Sequence, residues 1–264
     1  MSATGAWRLL RTRGWVAGLL AVVGFSACCG FLGRWQYGRH LDRVAANTLV
    51  DANYAAAPLA LTDVLPGPDA ALPPSRVWQP VTVTGSYLPG GTVLVRNRPL
   101  DGVYGYEVLV PLRTGGGDLL LVDQGWIPNG RNGSAPDRVP PSPDGQVTVT
   151  ARLRPGEPDL GRAPVPGQAA SIDLAGIGAG LPGKGYRAYG VLVAPATRGI
   201  TPLPRPDEDL GPHLAYAVQW WGFALAAPLL FGRALLVRGR ATPVARSGRR
   251  RVSDEEWEDA LTAG

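Results

Sequence analysis

Residues 15–33 read WVAGLLAVVGFSACCGFLG, nineteen positions without a charged side chain. Residues 211–232 read GPHLAYAVQWWGFALAAPLLFG, again without Asp, Glu, Lys or Arg, though His213 lies within them. About 20 apolar residues in a helix cross the hydrocarbon core of a bilayer. The two stretches therefore predict transmembrane helices over 14–34 and 211–232. Trp15 and Trp35 flank the first in the manner of interfacial anchors. Pro228 predicts a kink in the second, of a kind membrane helices tolerate.

Charge sets the expected orientation. Arg8, Arg11 and Arg13 precede the first stretch; Arg233, Arg238, Arg240, Arg246 and Arg249 to Arg251 follow the second. Residues 44–212 hold 13 basic and 15 acidic side chains, so the basic excess of the chain, +5 overall, lies near its ends. The positive-inside rule then places both termini in the cytoplasm and the middle outside the cell membrane. Arg34, Arg39 and Arg43 fall on the outer side, which a long translocated domain permits. The expected organisation is a cytoplasmic N-terminus (1–13), helix one (14–34), an extracytoplasmic domain (35–210), helix two (211–232) and a disordered cytoplasmic tail (233–264).

A cleaved signal is the rival reading of the first stretch, and Phe25-Ser26-Ala27-Cys28 approaches a lipobox. The apolar run continues through Cys29-Gly30-Phe31-Leu32, however, where a lipoprotein would begin a polar linker, and a second span makes a lipid anchor redundant. Cys28 and Cys29 point about 100° apart on a helix and cannot chelate as a Cys-x-x-Cys pair does.

The 36 glycines and 26 prolines exclude a long helical bundle. Between the spans, residues 34–57 contain no Pro and predict a helix continuing from the membrane and stopping before Pro58. A short turn over 61–65 follows. Six strands are then expected, over 77–87, 92–98, 104–112, 118–122, 146–153 and 186–193, separated by turns such as Pro89-Gly90-Gly91 and Asp101-Gly102. Short strands joined by Gly/Pro turns predict an antiparallel sheet or partial barrel. Residues 129–145 and 155–185 read as loops, with a short helix starting within 171–174. The fold class is thus an α+β membrane protein, two transmembrane helices flanking an antiparallel β-rich domain.

Catalytic signatures are missing. There is no P-loop, Gly-x-Ser-x-Gly, His-Glu-x-x-His or Cys-x-x-Cys, so a turnover enzyme is not expected. Arg98 and Glu107 flank a predicted hairpin and read as a cross-strand ion pair. A deep cluster of Arg98, Glu107 and Asp123 would instead argue for an outer-domain enzyme. The basic juxtamembrane tail suits anionic lipid better than nucleic acid, for which no role is expected.

Polar chemistry gathers at the outer membrane boundary. Gln36, Arg39, His40 and Arg43 fall on one helical face, and His213, Tyr216 and Trp220 on another. Pro212 suits the first helical position and places His213 in the first turn, where the helix dipole disfavours a cation and so favours the neutral, iron-ligating imidazole. Nearby arginines suit haem propionates. The residues leave two readings of His213 open, an iron ligand or an interfacial polar residue.

Leu32-Gly33-x-Trp35-Gln36-x-x-Arg39 resembles the first-span signature of the Surfeit locus protein 1 family. Asn97-Arg98, Gly102, Gly105-Tyr106 and Pro111-Leu112 resemble its central block, and Gly125-Trp126-Ile127-Pro128 the next. His213-Leu214-x-Tyr216-Ala217-x-Gln219-Trp220 resembles its second-span signature. One departure is Asp123-Gln124 where the family commonly has Asn-Arg. The resemblance implies an assembly factor for cytochrome c oxidase that binds haem a and assists its insertion into subunit I. His213 is the implied iron ligand. Trp35, Gln36, Arg39, Tyr216, Gln219 and Trp220 complete the expected haem site. Subunit I or its assembly intermediates, haem a synthase and membrane lipid are the expected partners. The alternative is a scaffold that holds assembly intermediates together without haem. Trp126 is expected to pack within the β-domain.

Overall fold

In the computed structural model, which describes residues 11–131, 133 and 135–241, the first span and the helix after it are one element. Helix α1 runs Arg13–Asn53 without a break at 34. Nothing between the apolar run and Asn53 is a helix breaker except isolated glycines, so the hydrogen-bond ladder continues. Helix α4, His213–Ala241, passes through Pro228 and extends beyond 232. Arg233, Arg238 and Arg240 are therefore helical and not the start of a disordered tail. The segment is rich in Leu, Ala, Val and Arg, and Arg238 and Arg240 in the last turn complement the helix dipole. The remaining tail, with its Arg run and acidic cluster, lies outside the described residues, as does Arg8.

The chain divides into two compact units, Met1–Asp42 with Leu210–Gly264, and Arg43–Asp209. In the first, both helices are long and apolar enough to cross a membrane. They pair antiparallel. Trp15 meets Phe231 edge-on at 5.4 Å between ring centroids, and Tyr37 meets Trp221 at 5.8 Å. Glycines set the approach, for a Cβ at Gly18 would lie 3.2 Å from Phe231 and one at Gly33 would overlap the Trp221 indole. Small residues let helix backbones approach in this way when no hydrophobic effect drives them together.

The second unit is a barrel. Its strands are β1 (Leu59–Ala60), β2 (Pro80–Tyr87), β3 (Val93–Leu100), β4 (Val103–Thr114), β5 (Leu119–Pro128), β6 (Gln146–Arg154), β7 (Gln168–Ala169) and β8 (Gly185–Ala194). The six long strands are the expected ones, with one marked difference. Strand β5 extends from 119 through Pro128, past the expected end at 122: Asp123, Gln124 and Gly125 break the apolar pattern, and pairing with β4 resumes beyond a bulge at Gln124 and Gly125, with Trp126 opposite Glu107.

The sheet order β1-β2-β6-β8-β5-β4-β3-β7 is closed by pairing of β2 with β4, from Gly85 opposite Thr114 to Tyr87 opposite Leu112. Five strands, β2, β6, β8, β5 and β4, thus form a ring. Of the two expectations, an antiparallel sheet or a partial barrel, the barrel holds, and antiparallel pairing does not run all the way round it for a topological reason. An odd number of strands cannot alternate in direction all the way round, so one neighbouring pair must run the same way. That pair is β5 and β8. The short β1 and β7 also pair in parallel, at the edges. Gly85 permits the closing contact, since a Cβ there would overlap the Arg113 carbonyl oxygen.

Alternation along the strands makes two cores. Val81, Val83, Val108, Val110, Leu112, Leu120, Val122, Val149 and Leu153 fill the barrel interior. Val95, Leu109, Leu121, Tyr189 and Val191 face outward beneath Ile172 and the two-turn-or-less helix α3, Leu174–Gly178. Asp173 caps α3 by accepting from the amides of Ala175 and Gly176. Covered on both faces, β5 is buried from Leu119 to Ile127. Asn53 ends α1 by donating to the carbonyls of Ser75 and Val77, each at 2.8 Å. After the one-turn helix α2, Leu61–Val64, the 3₁₀ helix Pro74–Arg76 leads into β2 and supplies the first of these acceptors.

Candidate functional site

The two histidines belong to the helical unit. His213 opens α4, whose first intrahelical acceptor is the Pro212 carbonyl, bonded to the Tyr216 amide at 3.0 Å. Pro212 therefore stands just before the helix, one residue earlier than expected, while His213 keeps its place in the first turn. Its Nδ1 lies 2.8 Å from Oε1 of Gln36 on α1. Among the described residues this is the only hydrogen bond of the imidazole, so Nε2 has no protein partner.

The remaining expected residues sit on the same two helices with different surroundings. Trp35 is 53% exposed, and Tyr216 and Gln219 are exposed as well. Trp220 is half-buried and meets Phe223 at 5.9 Å, near-perpendicular. Arg39 approaches Asp42 at 3.9 Å with both side chains largely exposed; such a pair contributes little and leaves the guanidinium accessible. None of these five hydrogen-bonds the His213 ring among the described residues. The structure thus joins Gln36 to His213 and leaves Trp35, Arg39, Tyr216, Gln219 and Trp220 as flanking groups.

Two residues that set this geometry are absent from the expected set. Gly33 lies directly beneath the Trp221 indole, and the Tyr37 ring meets that indole at a tilt of 50°. The available signal was spacing, since Gly33, Gln36, Tyr37 and His40 follow offsets 0, 3, 4 and 7 on one helical face.

The barrel unit holds a second polar constellation. Arg98 Nε lies 3.1 Å from Glu107 Oε2, so the cross-strand pair exists, and the same guanidinium also donates to Glu157. Glu157 accepts the Ile172 amide at 2.9 Å. Asp123 is 1% exposed on β5; its Oδ1 accepts the Gly125 amide at 3.0 Å, and Oδ2 has no hydrogen-bond partner among the described residues. Trp126 is buried as expected, and its Nε1 donates to the Arg98 carbonyl at 2.7 Å.

Electrostatics separate the three carboxyls. Burial pushes the Asp123 carboxyl well above its usual range, and the negative Glu107 adds to this; the Gly125 amide, Arg98 and Arg154 oppose it. Burial also raises Glu107, against the pull of Arg98. For Glu157 burial acts upward, but the Arg98 hydrogen bond and the Ile172 amide outweigh it and leave that carboxyl low. Arg98 is itself raised, because its carboxylates outweigh the cost of burial.

Arg98, Glu107 and Asp123 do cluster, then, though not around a cavity. The adjoining pocket, of about 350 Å³, is lined by Arg98 and Glu157 together with Arg96 and Arg162; Glu107 and Asp123 do not reach it. Among the described residues no group of three or more His, Cys, Asp or Glu is placed to hold a metal ion. The cluster closes the outer face of the barrel under the 155–172 segment.

Comparison with known proteins gives a consistent result. The family model described as the SURF1 family matches residues 23–225. The chain is 34% identical over 225 residues to SURF1-like proteins of Mycobacterium bovis and Mycobacterium tuberculosis, which covers 83% of this chain and 82% of each relative.

Proposed function

The chain belongs to the SURF1 family, whose members are cytochrome c oxidase assembly factors, and we propose that within this role it binds haem a and assists its insertion into oxidase subunit I. The observation that carries the reading is the pairing of His213 with Gln36, which leaves Nε2 without a hydrogen-bond partner among the described residues, at the start of one of two helices long and apolar enough to cross a membrane. A porphyrin supplies four of the ligands to its iron, so one imidazole suffices and no multi-residue metal cluster is needed. The donor set fits. Haem, when bound, would supply an iron that a neutral imidazole nitrogen such as Nε2 of His213 could hold.

The chain's own groups have separate tasks. His213 ligates; Gln36 holds the ring; Trp35, Tyr216 and Trp220 give apolar walls; Arg39 offers a counter-charge to a propionate. Gln219 lies on the same helix within this boundary region. No group turns over a substrate. Both termini lie in the cytoplasm and the barrel outside, following the basic residues at the two ends. Haem a synthase is the natural donor and subunit I the acceptor.

The test is the visible spectrum and pyridine haemochrome of the full chain purified from cells that make haem a, beside His213→Ala. Stoichiometric haem a, lost in the variant, is the expected result. A folded, membrane-inserted wild type without haem a would transfer the role to scaffolding of oxidase intermediates.

A further inference from the structure

We propose that Gln36 is the positioning residue of His213: its amide oxygen accepts the Nδ1 proton, fixing the tautomer in which Nε2 carries the free lone pair. What Nε2 binds rests on the haem reading above; the tautomer rests on the contact itself.

Nδ1 of His213 and Oε1 of Gln36 are 2.8 Å apart across 177 residues of sequence. A carboxamide oxygen has no proton to donate, so Nδ1 must be the donor. A neutral imidazole carries one ring proton. With that proton on Nδ1, Nε2 is left as an acceptor, the form a metal ligand requires. Ligating histidines characteristically give their other N–H to such an acceptor, which fixes the ring's orientation and raises its basicity.

The surrounding packing makes the contact a built one. Gln36 is one helical turn from Gly33, whose missing side chain admits the Trp221 indole, and it adjoins Tyr37, whose ring meets the same indole. Helix separation is therefore set by a glycine at the level where the amide must reach across. Ala217, one turn beyond His213 on α4, is fully buried and small. His40, one turn beyond Gln36, has a buried Nδ1 with no hydrogen-bond partner among the described residues, so the amide serves His213 alone. A glutamine at this place orients the ring without adding a buried anion, whereas a glutamate would draw the imidazole towards imidazolate.

The experiment uses the full chain in detergent with ¹⁵N-labelled histidine. The sequence has two histidines, so His40→Asn leaves His213 as the sole signal. In haem-free protein at mildly alkaline pH, Nδ1 is expected protonated and Nε2 unprotonated. Gln36→Glu retains this pattern. Gln36→Leu shifts the ring towards the Nε2–H form and weakens binding of added haem a by about 10–100-fold, while Gln36→Glu still binds and moves the haem midpoint potential negative. A wild type with Nε2–H, or a Gln36→Leu protein with unchanged tautomer and haem affinity, overturns the assignment of Gln36 while leaving haem binding to His213 intact. A wild type with Nδ1–H that takes up no haem a overturns the haem reading and the positioning role with it, and reduces the pair to a helix–helix contact.

Discussion

Replacing Asp123 by Asn should stabilise the barrel, and by an amount that grows with pH. The carboxyl lies on β5, 1% exposed, among Glu107 on β4, Arg98 on β3, Arg154 on β6 and Tyr189 on β8. Burial is the largest influence and raises its pKa, with Glu107 second. A folded chain that keeps this proton must lose it on unfolding once the pH exceeds the free carboxylate value, about 3.9. The folded state then binds one more proton than the unfolded state. Stability conferred by this group is full below that value and falls as pH rises towards the folded pKa, by about 1.4 kcal/mol per pH unit for one proton. Asn cannot ionise, has the same shape, and can still accept the Gly125 amide. The difference between Asp123→Asn and wild type should therefore widen at about that slope from roughly pH 5 upward. Glu157, whose pKa is lowered, gives a slope of opposite sign at more acid pH, present in both proteins and so cancelled in the difference. Amide hydrogen exchange over β4 and β5 in the detergent-solubilised full chain, corrected for intrinsic rates, reads the effect. A difference in opening free energy that stays constant between about pH 5 and pH 7 would refute the reasoning, because it would mean that Asp123 binds protons alike in both states.

Three further outcomes are expected. Leu153→Ala opens a cavity inside the barrel, where Leu153 is fully buried, and should cost about 2–5 kcal/mol in denaturant melts. Trp126→Phe removes the donor to the Arg98 carbonyl and should cost about 1–3 kcal/mol by the same measurement, with the ring packing retained. Gly33→Ala places a methyl on the Trp221 indole and should cost about 1–3 kcal/mol of helix pairing; cysteine cross-linking between α1 and α4 should fall, and Trp221→Ala in the same chain should restore it.

Much of this protein was legible in sequence because the controlling signals are local. Two uncharged stretches marked the membrane-length helices, since a helix of a given length needs apolar side chains at nearly every position to cross lipid. Strand alternation with Gly/Pro turns marks six strands, and the end of β5 beyond 122 is hidden because Asp123, Gln124 and Gly125 break the apolar pattern at a bulge, past which pairing with β4 resumes at Trp126. Family blocks drew attention to Gln36 and His213, and helical spacing put each on a defined face.

Only the tertiary structure decided what those local elements meet. Closure of five strands into a ring, and hence the parallel β5–β8 pair, is a property of the whole circuit that no single strand encodes. The Arg98–Glu107 pair followed from a hairpin, but the presence of Glu157 and Asp123 beside it depends on a distant loop and a third strand folding over the same face. Gln36 reaches His213 because Gly33 admits Trp221, a contact between residues 188 positions apart in sequence. Periodicity and charge act over a few residues and can be read along the chain; steric complementarity and burial act through space, and here they convert a glutamine and a histidine on separate helices into a single site.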